Sequence, residues 1–192
     1  MRAEVGFGNG KVVPRLMGLA SAIAYTGIDY SQAMVAEAKA SNKSQIEGGS
    51  VEFRHASVEA IPFADDSFDH ALTINTIYFW PEPVRGLAEI RRVLRPSGNL
   101  LLVVGTPEQM ARNAFTQHGF RLYADAQLRE LFVRAGFREV TVELYRDQAP
   151  TLDRSKNNLI ERSRSYGQQM AVDLANPQCI SNAMSAALSP RS

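Results

Sequence analysis

The stretch RAEVGFGNGKV, Arg2 to Val12, constrains the fold of this chain most tightly. A short strand over residues 2–5 ends on Glu4 and Val5 and runs into glycines at alternate positions, Gly6, Gly8 and Gly10. A helix is expected from about Lys11 to Ala20, with Pro14 tolerated in its first turn. Glycines let the backbone turn sharply and let a ligand lie against the main chain, where side chains would collide. Spacing disfavours the two common phosphate loops. The nucleotide triphosphatase loop needs a glycine about five positions before a Gly-Lys pair and Ser or Thr after it. This chain has Val5 and Val12 at those places. The dinucleotide fingerprint needs a glycine where this chain has Lys11.

Behind the loop, apolar runs alternate with helical periodicity, the mark of an α/β fold with a doubly wound, mostly parallel sheet. Strands are expected over 24–29, 51–55, 68–75, 100–105 and 138–145, after the first over 2–5. Ser31 caps a helix expected over 32–45, in which Met34, Val35 and Ala38 share a face. Pro81 and Pro83 open another that ends near Leu94, and RPSGN reads as a turn. LLLVVG, Leu100 to Gly105, is apolar without alternation, as a strand covered on both faces should be. A short helix is expected over 108–116, and a longer one from about Asp125 to Ala135, stopped by Gly136. From Gln148 the chain turns rich in Ser, Asn, Gln and Ala, with no clear strand, and reads as a loosely held tail. The division expected is one ligand-binding domain over 1–147 and an atypical tail over 148–192.

Composition narrows the function classes. With 21 Lys+Arg against 20 Asp+Glu, the chain has no broad positive field for nucleic acid or an anionic membrane. One cysteine, Cys179, excludes an intrachain disulfide and a thiolate zinc cluster and suits a reducing compartment. MRAEVGFG does not read as a signal peptide, and no apolar run is long enough to span a membrane. A cytoplasmic protein is expected.

The sequence Glu4-Val5-Gly6-Phe7-Gly8-Asn9-Gly10 resembles the first motif of class I S-adenosylmethionine-dependent methyltransferases, and more narrowly the small-molecule branch of the methyltransferase-11 type. GIDYSQAM resembles the second motif, whose acid ends the second strand; Asp29 stands 19 positions after Gly10. SVEAIPFADDSFDHALTIN resembles the adenine-side loop and fourth strand, EIRRVLRPSGNLLLVV the helix–turn–fifth-strand signature, and LRELFVRAGFREVTVELY the last helix and sixth strand. The resemblance covers about Glu4 to Tyr145 and implies a Rossmann-like sheet of six or seven strands.

The resemblance also implies roles. Asp29 accepts from the ribose hydroxyls, and Glu4 lies near the methionine amino group. Gly6, Phe7, Gly8, Asn9 and Gly10 form the loop under the cofactor. Tyr30 and Met34 pack on the adenine. Ser57 and Val58 stand where many relatives carry Asp-Ala, so the adenine contact is expected to lack a charge. Asn75 and Thr76 face the methionine end at the C-terminal edge of the fourth strand. Tyr78, Phe79 and Trp80 are expected to wall the acceptor site, suiting a flat or apolar small molecule. Of the three histidines, His70 lies at the wrong end of its strand and His55 near the adenine, leaving His118 as the candidate general base. ADD at Ala64 to Asp66 reads as a solvated turn, and no metal site is expected.

Relatives place helices before the first strand and finish with a seventh, antiparallel strand beside the sixth. This chain has three residues before Glu4, and its tail offers NNLIERS, residues 157–163, as a candidate seventh strand. Two readings follow: an active small-molecule methyltransferase, or a shortened, non-catalytic or impaired protein of the same fold that binds cofactor weakly or serves as a partner subunit.

Overall fold

A computed structural model describes residues 1–18, 24–145 and 169–173. Seven strands form one sheet: β1 Arg2–Val5, β2 Tyr25–Asp29, β3 Val51–His55, β4 Phe68–Ile74, β5 Leu94–Gly105, β6 Thr141–Tyr145 and β7 Gln169–Asp173. Their order is β3-β2-β1-β4-β5-β7-β6. The pairs from β3 to β5 are parallel, and β7 runs antiparallel to both β5 and β6. The doubly wound, mostly parallel sheet expected from the alternation is therefore present, at seven strands.

The chain steps outward from β1 through β2 to β3, then returns to the other side of β1 for β4. Open parallel sheets take their ligands in the crevice at such a reversal, beyond the C-terminal ends of the strands, here β1 and β4. Gly6 follows β1 and Asn75 follows β4, so both motifs reach the crevice.

Helices cover both faces. On one, Phe7, Tyr25, Val51 and Phe53 pack with Val13 of α1 (Val13–Met17) and Val35 and Ala38 of α2 (Gln32–Ser41). A short α3 (Lys43–Glu47) follows. On the other, α4 (Pro83–Val93) buries Leu87, Ile90 and Val93. α5 (Pro107–Met110) is a single turn, and α6 (Asp125–Arg134) buries Leu128 and Phe132 against the same core.

Four local expectations are corrected. The helix expected over 32–45 breaks at Asn42, whose buried side chain donates to Gly10 O at 3.3 Å and Ala38 O at 2.8 Å. RPSGN is no free turn: β5 begins at Leu94 opposite Phe68 and resumes with Asn99 opposite His70, so the intervening residues bulge out of the ladder. Past α5, a 3-10 turn over Ala114–Gln117 replaces the expected continuous helix. The tail was expected to hold no clear strand, yet QMAVD forms β7, which fits because its neighbours β5 and β6 offer the edges it pairs with. NNLIERS lies outside the described residues, as does the helical expectation over 19–20.

Candidate functional site

The glycine loop is shaped by what lies around it. A Cβ on Gly6 would stand 2.3 Å from Thr76 Cγ2, so only a bare backbone lets the end of β1 pass the end of β4. Gly8, at φ +62°, differs: a Cβ there would meet nothing within 4 Å. The backbone at Gly8 thus needs glycine for its conformation and presents open space for a ligand. The loop is fastened at both ends, by Gly6 N–H donating to Ile28 O at 2.7 Å and by Asn42 holding Gly10 O. Asn9 donates to Glu37 Oε1 at 3.3 Å and accepts from Lys11 N–H at 3.4 Å.

Asp29 ends β2 beside this loop. Its Oδ2 accepts from Gly8 N–H at 3.0 Å and its Oδ1 from Ser31 N–H at 2.8 Å. Ser31 itself caps α2, accepting from Met34 N–H at 3.3 Å. Each carboxylate oxygen keeps acceptor capacity beyond its one amide, so both remain able to receive hydroxyls of a vicinal diol. Glycine loop and acid form one connected unit.

Glu4 is 7% exposed, and its Oε2 accepts from the Tyr25 hydroxyl at 2.7 Å. Burial raises its pKa to about 6; the Tyr25 hydrogen bond works against that rise, and the negative Asp29 adds to it. Burial and Glu4 together push the Tyr25 phenol well above its usual range. Sequence reasoning missed Tyr25 because an aromatic residue in a strand reads as core, and it also missed Asn42.

Past the end of β2, where the adenine contact is expected, Tyr30 is 79% exposed with its ring 6.4 Å from that of His55, whose Nε2 lies 2.8 Å from Tyr30 O. Met34, in the first turn of α2, is half-buried. Ser57 uses its hydroxyl locally, accepting from Glu59 N–H at 3.2 Å. The Val58 side chain belongs to the core and touches the space above Gly86, and that of Phe7 packs on Phe53 at 4.8 Å, so neither side chain faces the crevice. The loop that follows Val58 is held by Arg92, which donates to Ile61 O, Phe63 O, Glu89 and Asp65 at 2.8–2.9 Å.

At the end of β4, Asn75 adopts φ +57° and donates its N–H to Val103 O at 2.8 Å. Thr76 meets the Thr73 hydroxyl, which also donates to Val5 O at 2.9 Å. The expected aromatic wall is corrected. Ile77–Phe79 is a 3-10 turn, in which successive side chains point about 120° apart. Tyr78, 1% exposed, turns inward, donates to Asn75 Oδ1 at 3.2 Å and accepts from Gly105 N–H at 2.6 Å. Its burial pushes the hydroxyl up to about 12, so it stays protonated. Trp80 is buried against Gly86. Phe79 alone of the three faces outward, 56% exposed, in an edge-to-face pair with Phe120 at 4.6 Å. Arg121 holds the Phe120 segment in place, donating from its backbone to Tyr78 O at 3.2 Å and from its guanidinium to Trp80 O and, at 2.9 Å, to Pro81 O. His118 is exposed on the same segment.

A bare loop backed by one carboxylate can take a hydroxyl-bearing ligand against its main chain, and a second carboxylate, Glu4, lies buried at the end of β1. Among the described residues, no group of three or more His, Cys, Asp or Glu side chains stands together to hold a metal ion. No helix among them is long and apolar enough to cross a membrane.

Comparison with known proteins agrees with that geometry. The family model described as "Methyltransferase domain" matches residues 3–102. The O-methyltransferase resE of Aspergillus sclerotiorum is 30% identical over 151 residues, 75% of this chain and 57% of that protein. The ubiquinone/menaquinone biosynthesis C-methyltransferase UbiE of Geotalea daltonii is 34% identical over 101 residues, 52% of this chain and 43% of that protein. Among solved structures, the cyclase SpnF superposes with a TM-score of 0.63 at 31% identity, over 74% of this chain and 53% of that one. The chain thus spans roughly half the length of these relatives. Loop, acid, strand order and family model agree: this chain belongs to the methyltransferase domain family.

Proposed function

We propose that the protein binds S-adenosylmethionine in the crevice between β1 and β4 and transfers its methyl group to a small-molecule acceptor. The observation that carries this reading is the junction of Gly8 and Asp29, a main-chain hollow open to solvent and backed by a carboxylate. In it, Asp29 receives the ribose hydroxyls and Glu4 the ammonium group of the methionine tail. Tyr30 and Met34 flank the adenine, and the backbones of Asn75 and Thr76 border the methionine end. When bound, the cofactor supplies an electrophilic methyl carbon for in-line displacement. The chain's own part is alignment and exclusion of water. Phe79, backed by Phe120, offers an apolar ring to the acceptor, and His118 on the adjoining segment is the candidate base where the acceptor must lose a proton. The relatives named for O- and quinone C-methylation support phenols and hydroquinones as first acceptors to try.

A second reading, a non-catalytic or impaired cofactor-binding or partner protein of the same fold, is retained because SpnF, which this chain resembles, is named a cyclase rather than a methyltransferase. Incubation with methyl-labelled cofactor and a panel of phenols, hydroquinones and small amines separates the two. Label in an acceptor supports transfer; cofactor binding with no label in any acceptor favours the second reading. We further read the protein as a cytoplasmic domain that does not act on nucleic acid, in keeping with its near-zero net charge and single cysteine, and that extends past the expected boundary at 147 to take in β7.

A further inference from the structure

We propose that Tyr25 is a positioning residue for cofactor capture: its phenol fixes one oxygen of the buried Glu4 carboxylate and leaves the other to receive the ammonium group of the bound methionine tail. The inference rests on the reading above and assigns a role to a residue that reading does not use.

The register sets the arrangement up. β1 and β2 run parallel with Arg2 opposite Tyr25 and Glu4 opposite Gly27. At Gly27 the space of a side chain is taken by two rings, with Phe7 Cδ1 and Phe53 Cδ1 at 2.6 and 2.7 Å from where a Cβ would lie. Tyr25 meets Phe53 edge-on at 6.0 Å and extends this aromatic floor. A tyrosine buried in such a floor needs a partner for its hydroxyl, and Glu4 Oε2 at 2.7 Å is that partner. The polar contact thus joins this floor to β1 at Glu4, two residues before the glycine loop.

Among the described residues Glu4 has one hydrogen-bond partner, Tyr25, and a buried carboxylate so sparsely bonded is costly unless its charge is used. The ionisable groups acting on Glu4 are Tyr25 and Asp29, both from β2; from β4 its register partner is the apolar Leu72. No cation among these groups neutralises it. Two carboxylates therefore border one end of the crevice, and the ligand proposed for that crevice brings one ammonium group. The raised pKa of Glu4, about 6, follows from burial with no cation among the described ionisable groups that act on it. The phenol matters in this because its hydrogen bond favours the ionised form and holds the carboxylate in one rotamer.

Ligand capture should then titrate with Glu4, but only for ligands that carry the ammonium group. Isothermal titration calorimetry with S-adenosylhomocysteine and with methylthioadenosine, which lacks the amino-acid tail, tests this between about pH 5 and pH 8. For the wild-type protein, homocysteine-nucleoside affinity is expected to fall below about pH 6, approaching tenfold per unit, while methylthioadenosine affinity stays flat. Tyr25→Phe is expected to move that fall alkaline by about one unit and to leave methylthioadenosine unaffected. Superimposed curves for Tyr25→Phe and wild type overturn the inference, as does an equal loss for both ligands, which would mark a purely structural role. Wild-type protein that binds neither ligand contradicts the proposed function itself, and this inference with it. Should Tyr25→Phe fail to fold, Glu4→Gln decides: weak, pH-independent binding of S-adenosylhomocysteine with normal methylthioadenosine binding supports the proposal, and a retained wild-type pH dependence overturns it.

Discussion

Gly8 and Asp29, 21 positions apart in sequence, are joined by a single hydrogen bond of 3.0 Å from the glycine amide to the carboxylate. That bond makes the glycine loop and the acid of β2 one binding element. Removing the carboxylate should therefore remove both the ribose acceptor and the strut under the loop. Hydrogen bonds to a charged acceptor contribute about 1.5–3 kcal/mol each. Asp29→Ala is expected to weaken S-adenosylmethionine binding by at least about tenfold, measured by calorimetry. Asp29→Asn, which keeps an oxygen acceptor, should lose less; equal losses would show that the charge, not the bond, is what counts.

Gly6 and Gly8 should respond differently to the same methyl group. Gly6→Ala drives a Cβ to 2.3 Å from Thr76 Cγ2 and is expected to destabilise the fold by more than about 2 kcal/mol in denaturant unfolding. Gly8→Ala meets no neighbour and carries only the cost of a left-handed backbone, about 1–2 kcal/mol. Its methyl group projects toward the space assigned to the cofactor, so its loss of cofactor affinity should exceed that of stability. A Gly8→Ala protein with wild-type affinity would remove the cofactor from that space.

Glu4 is predicted to be retained at a cost to stability. Its pKa is raised to about 6 in the folded chain, so the folded state binds its proton more tightly than the unfolded state. The resulting stabilisation is full below the unfolded value and is lost as pH rises through about 6. Glu4→Gln cannot ionise and still offers Tyr25 an acceptor. It is expected to exceed wild type by about 2 kcal/mol near pH 8, a rise of several degrees in Tm, with the gap closing near pH 4. A gap that does not change with pH would contradict this.

Phe79 and Trp80 are neighbours in sequence and opposite in consequence. Trp80→Ala empties a buried site and should cost about 3–5 kcal/mol of stability. Phe79→Ala removes an exposed ring and should cost less than about 1.5 kcal/mol, chiefly its contact with Phe120. Its effect belongs in the acceptor KM, readable once a methyl acceptor is known. Unaltered acceptor kinetics would take Phe79 out of the site.

Most of the fold was legible because its signals are local. Alternating glycines, an acid at the end of β2 and an apolar run at Leu100 each announce their own surroundings. Asn42 was not legible: a polar residue in a helical stretch gives no sign that it will reach across to Gly10 O. Tyr25 was hidden for the opposite reason, since its ring does what a core aromatic does and only its hydroxyl finds Glu4. The aromatic run at Tyr78 to Trp80 misled because the 3-10 turn that sorts inward from outward rings depends on the Asn75 and Arg121 contacts made around it. The strand QMAVD was missed because it has no alternation of its own and forms by filling the gap between β5 and β6.

The most direct measurement is calorimetric titration of the wild-type protein and Asp29→Ala with S-adenosylmethionine under identical conditions. The account predicts one-site binding to the wild type and an affinity at least about tenfold weaker for the variant. No binding to the wild type at millimolar ligand, or equal binding to both proteins, would contradict it.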